Sequence, residues 1–204
     1  MDPAEVDLLR PLVDGAGIAD DLAGFAATLG SAPHGAGGLL LVGTPTDEPW
    51  HFAAHLTDEA RWSERVDLEP TLVRWAVPSG APAHLAVGVE RLAAVRRSET
   101  LLVISPDGAP EQLLDRVSGA RDRGALVLTI DQGADELHGL AHRSLIVPQG
   151  AATRFFDVVQ HLVTRSAPLA ARQVTLRDRL NRLLDTAQGL RAPGSLPRQQ
   201  RDGW

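Results

Sequence analysis

Apolar residues along the chain fall into two alternating patterns, short runs and longer stretches with helical spacing. The short runs are Leu39–Val42, Thr71–Val77 (interrupted by Arg74), Thr100–Ile104, Ala125–Ile130 and Ser144–Val147. Runs of this length without apolar/polar alternation predict strands buried on both faces of a parallel sheet. Between them lie segments with apolar residues every three or four positions, which predict helices over Ala4–Leu29 (one or two), Trp50–Trp62, Ala83–Arg97, Glu111 to Gly124, Ala134–Ala141 and Ala151–Thr164. In the second of these, Trp50, Ala53, Ala54 and Phe52 are the expected packing face; in the third, Leu85, Val89, Leu92 and Val95.

The clearest unit is Thr100–Asp131: strand, polar turn, helix, glycine stop, second strand. Pro110 stands where the first helical turn needs no amide hydrogen, Glu111 follows where the helix dipole favours an anion, and Gly124 ends the helix. Five strands alternating with helices predict a three-layer α/β domain, with a doubly wound parallel sheet in the order 2-1-3-4-5 and extra helices at both ends. In that order the sheet reverses direction between the first and third strands. The turns after Val42 and Ile104 then border the crevice where ligands of such sheets bind. The reading takes residues 1–188 as one domain. Its last part is an amphipathic stretch carrying Leu176, Leu180, Leu183 and Leu184, and residues 189–204 are read as a flexible tail. The helix of Phe155, Phe156, Val158, Val159, Leu162 and Val163 is apolar on too wide an arc for one core stripe, so it is either deeply buried or in contact with a partner.

Composition removes several classes of chemistry. All 20 basic residues are arginine, so neither a Schiff-base lysine nor a phosphate-loop lysine exists. There is no cysteine, which excludes disulfides, thiolate catalysis and cysteine-bound zinc. A net charge of -6 argues against nucleic acid and anionic membranes as partners. No apolar run reaches the roughly 20 residues of a membrane span, and no leader is legible, so a cytoplasmic location is expected.

Candidate site residues cluster at the two switch-point turns. Gly43 permits a tight reversal after the first strand, and Thr44 and Thr46 offer hydroxyls near the start of the Trp50 helix, although Asp47 and Glu48 share that turn. The second turn holds Ser105, Asp107, Gly108 and Glu111. His51 and His55 lie four apart on one helix, as do His138 and His142, but neither pair has an evident third ligand, and no metal is expected. His34 and His84 are further imidazoles near strand ends.

The strand ending in Ser105, Gly108 and Glu111 resembles the second half of the sugar isomerase (SIS) domain, whose Ser-x-Ser-Gly-x-Thr/Ser loop cradles a sugar phosphate. The resemblance extends over about Gly24 to Ser166 in element order. Asp107 replaces the second serine and Pro110 the threonine, which adds a negative charge and removes a hydroxyl. The resemblance implies a carbohydrate-derivative (phosphosugar) binding or regulatory protein with a degenerate phosphate loop, dimeric and without a cofactor, whose ligand is a phosphosugar or nucleotide sugar. It also implies an alternative, an aldose-ketose phosphosugar isomerase. In that case Ser105, Gly108, Thr44 and Thr46 hold phosphate, while His51 and Glu111 move protons. A third reading is an interaction protein that uses the Phe155 and Leu176 helices as its surface.

Overall fold

The computed structural model describes residues 15, 17–32, 35–133, 135–148 and 156–168. The stretch carrying Val6 to Val13, His34, Phe155, the Leu176 stretch and the 189–204 segment lie outside the described residues. The elements are α1 (Ala19–Ser31), β1 (Leu39–Val42), α2 (Trp50–Trp62), a 3-10 turn (Val66–Leu68), β2 (Pro70–Val73), two further 3-10 turns (Ala83–Leu85 and Val89–Ala94), β3 (Thr100–Ser105), α3 (Glu111–Asp122), β4 (Leu126–Asp131), α4 (Asp135–Leu140) and β5 (Arg143–Ile146). Among the described residues, 156–168 are also helical and are labelled α5.

The five strands are all parallel and ordered β2-β1-β3-β4-β5, the expected doubly wound order. Strand alternation sends two sets of apolar side chains to opposite faces. Leu39, Leu41, Leu102, Ile104, Leu128 and Ile130 pack with Phe25 and Leu29 of α1, Phe52 and Leu56 of α2, and Val159 and Val163 of α5. Leu40, Val42, Leu101, Val103 and Val127 pack with Leu92, with Leu113 and Val117 of α3, and with Leu137 of α4. These are the three layers. The wide apolar arc of α5 is accounted for by this core, since Phe156, Val158, Val159, Leu162 and Val163 are all buried.

Three local expectations are corrected. The strand read as Thr71–Val77 ends at Val73, and the helix read as Ala83–Arg97 is two short 3-10 turns. The cause is one contact: the Arg74 amide donates to the Val87 carbonyl at 2.9 Å, and Arg74 bridges Gly88. That bridge holds Gly88 extended, at φ -87° and ψ 167°, in the middle of what would have been the helix. On α2 the buried face is Phe52, Ala53, Leu56 and Ala60, while Trp50 and Ala54 are exposed. Trp50 is instead covered on one side by the Arg74 guanidinium, 4.3 Å from the ring centroid. Among the described residues no helix is long and apolar enough to cross a membrane.

Candidate functional site

Register creates the crevice. β1 ends where Val42 pairs with Val103, whereas β3 and β4 continue together to Ser105 and Asp131. Ile104 therefore extends beyond β1, and the turn leaving β1 passes beside it. Here a cavity of about 370 Å³ opens, lined by Thr46 to Phe52 from the first turn and α2, and by Ile104, Pro106 and Asp107 from the β3 exit. Gln132 after β4, and Phe156, Asp157 and Gln160 of α5, complete it. This is the switch point of the sheet, where doubly wound folds place ligands.

The first turn is tightly built. The Thr44 amide donates to the Asp47 carbonyl at 3.0 Å, and the Asp47 amide donates to the Thr44 hydroxyl at 3.1 Å. Thr44 Oγ1 and Thr46 Oγ1 share a hydrogen bond at 3.2 Å, so the buried Thr44 hydroxyl serves the turn, and Thr46 is the threonine that lines the cavity. Gly43 is buried; its carbonyl accepts from the Trp75 indole N–H at 2.8 Å. Glu48 is tied to Arg74 at 3.0 Å and accepts from the Trp75 amide at 3.2 Å.

In the second turn, Asp107 is exposed and lines the cavity, and Gly108 adopts φ +94°, a left-handed conformation that favours glycine. Ser105 is completely buried, with no hydrogen-bond partner for its hydroxyl. Because Ile104 belongs to the face of α1, α2 and α5, alternation sends Ser105 to the α3 side, and it does not line the cavity. Glu111 begins α3 with an exposed side chain and does not line it either. Of the residues singled out by sequence, the crevice thus brings together His51, Thr46 and Asp107. Gly43, Thr44 and Gly108 shape the turns, and Ser105 and Glu111 stand apart.

Sequence reasoning missed Trp50 as a lining group, along with Gln132, Asp157 and Gln160. The last two arrive from α5, more than a hundred residues from the first turn, and only their helical spacing with His161 and Thr164 offered a signal.

The electrostatics are acidic. Glu48 is neutralised by Arg74, but Asp47, Asp107 and Asp157 face the same space, and among the described residues no arginine lines it. Burial pushes the Asp47 carboxyl above its ordinary value, with Asp107 and then Asp157 adding repulsion. A carboxylate raised in the folded state costs stability above its folded pKa, and that cost disappears as pH falls through the ordinary value of 3.8. Asp47→Asn is therefore expected to melt higher than the unaltered protein at pH 7, with the gap closing towards pH 3.8; thermal melts across that range check it.

The histidine pairs have different fates. His142 accepts from the Val127 amide at 3.0 Å through Nδ1 and so holds the β4–β5 connection to the sheet. His55 meets His161 of α5, with ring centroids 4.0 Å apart, and His51 lies beside His55 with its ring centroid 6.5 Å away. Among the described residues no group of three His, Asp or Glu side chains is arranged to hold a metal ion. His84 is exposed on its 3-10 turn.

No protein-family profile matches the chain, and no curated protein sequence does. Similar solved structures include the sugar isomerase domain of an RpiR transcription factor from Sphaerobacter thermophilus, at 16% identity and a TM-score of 0.48, covering 79% of this chain and 87% of that one. Another is the NanR protein of Vibrio vulnificus complexed with ManNAc-6P, at 12% identity and a TM-score of 0.49, covering 92% of this chain and 74% of that one. At such identities the chemistry of the crevice has to be read from this chain's own residues.

Proposed function

We propose that this SIS-like protein is a non-catalytic binding or regulatory module for a carbohydrate derivative, held at the switch-point crevice, and that its phosphate loop is degenerate. The observation carrying this reading is the lining itself. Carboxylates (Asp47, Asp107, Asp157) and amides (Gln132, Gln160) supply the donors and acceptors that sugar hydroxyls need, beside the Trp50 indole and the His51 imidazole. The same carboxylates oppose a phosphate dianion, and the Ser105 hydroxyl is turned away from the cavity. The ligand is therefore a neutral or amino sugar in preference to its phosphate ester.

Calorimetric titration against neutral hexoses, amino sugars, hexose phosphates and nucleotide sugars tests this. Neutral and amino sugars are expected to bind at least about tenfold more tightly than phosphate esters, a difference of roughly 1.4 kcal/mol. Absence of heat with all four classes removes the ligand, and tightest binding by a hexose phosphate removes the degenerate loop.

One observation favours the isomerase alternative: His51 and the half-buried Asp47 with its raised pKa line one cavity, a pairing suited to proton transfer. Isotope exchange at the C2 carbon of a phosphosugar is its signature, and a panel without exchange excludes it. We also read the protein as a cytoplasmic homodimer without nucleic-acid partners. The burial of α5 takes away the apolar surface that first suggested an interface, and light scattering that returns a strict monomer removes the dimer.

A further inference from the structure

A second cavity, of about 300 Å³, continues from the crevice along the seam between α2 and α5, lined by His51, Phe52, His55, Asp157, Gln160, His161 and Thr164. His51, Phe52, Asp157 and Gln160 line both cavities, so the two form one groove with His51 at the junction. The inner groups come as pairs four apart on facing helices, His51 with His55 and Asp157 with His161, which places them on the facing sides of their helices.

The chemistry of this inner cavity narrows its ligand. Asp157 disfavours an anion, and the side chains are not arranged to hold a metal. Burial, with the neighbouring His51 adding to it and Asp58 opposing, holds His55 below the ordinary imidazole value, which favours the neutral ring with its one donor and one acceptor. Gln160 and Thr164 add further polar groups, and Phe52 supplies an apolar wall. Donors and acceptors gathered beside the Asp157 carboxylate match a neutral, hydroxyl-rich ring. Each cavity lies near the lower end of the roughly 300–1,000 Å³ found for small-molecule sites, so a single sugar ring occupies one of them and leaves the other open.

We infer that the groove takes a neutral carbohydrate of at least two linked rings, one ring in the switch-point crevice and the next between α2 and α5 against His55 and His161. This rests on the crevice being a carbohydrate site, and the experiment separates the two. The full chain is titrated calorimetrically at pH 7 with N-acetylglucosamine and its β-linked dimer, and with glucose and cellobiose. The dimer of at least one pair is expected to bind at least about tenfold more tightly than its monomer. His55→Ala is expected to reduce dimer affinity to the monomer level while changing monomer affinity less than about twofold. His161→Gln, which keeps a polar group, gives a second reading should His55→Ala fail to fold, and Asp107→Ala is expected to alter both sugars alike. Monomer binding with no dimer preference, or a preference that survives both histidine changes, overturns the two-ring groove and leaves the crevice reading standing. No binding by any of the four sugars overturns both.

Discussion

Phe52→Ala is expected to destabilise the protein by about 3–5 kcal/mol, the range for deleting a fully buried phenyl ring. Phe52 is 1% exposed and belongs to the core between the sheet, α1, α2 and α5. It also forms a wall of both cavities, so its loss removes packing on one side and the partition of the groove on the other. For a chain of this size each kcal/mol corresponds to roughly 2–4 °C, so a melting temperature lower by roughly 6–20 °C is expected. Phe52→Leu keeps most of the volume and is expected to cost less than about 1.5 kcal/mol. Urea unfolding of both variants provides the check. Equal small losses show that the ring does not hold α2 on the core.

Gly43→Ala is expected to cost about 2–3 kcal/mol, the upper part of the range for forcing an extra methyl into a packed site. An added Cβ falls on the carbonyl oxygen of Asp47 and lies 2.6 Å from Cδ of Pro49. Neither neighbour can swing aside: one is backbone held by the Thr44 amide, the other a closed ring. The first turn has to open, which releases the Trp75 indole from the Gly43 carbonyl and displaces Thr46 and Asp47 from the crevice. A shifted Trp75 indole resonance together with weakened sugar binding is the expected signature. Gly108→Ala serves as the comparison. There an added Cβ has open space, and only the left-handed φ of +94° opposes it, at about 1–2 kcal/mol. A Gly43→Ala variant no less stable than Gly108→Ala shows that the turn yields without strain.

The contrast between these glycines shows how far the sequence could be read. Gly108 and Gly124 sit in turns whose local chemistry already requires a positive φ, and both were recognisable as turn and helix-stop residues. Gly43 was recognised as a tight reversal, but its reason, the approach of Asp47 and Pro49, depends on how the turn folds back. The same division holds for the elements. The Glu111–Asp122 helix and the β3 and β4 strands were legible because proline, glycine and apolar spacing act within a few residues. The 3-10 turns near Leu92 were not, because a strand-edge contact from Arg74 overrode a helical pattern.

By itself, the sequence determined the layer architecture, the strand order and the location of the crevice. Unbroken apolar runs have to be buried on both faces, and parallel strands joined by helices leave few arrangements that accomplish this. It also carried the carboxylate of Asp107 and the ring of Pro110 in the turn that follows the third strand. Tertiary structure alone decided which groups share the site. Burial of the α5 apolar arc brings Asp157, Gln160 and His161 against α2, two residues of overhang set Ile104 beneath the cavity, and strand alternation turns Ser105 to the opposite face. These follow from packing between segments distant in the chain, a relation that no local spacing encodes.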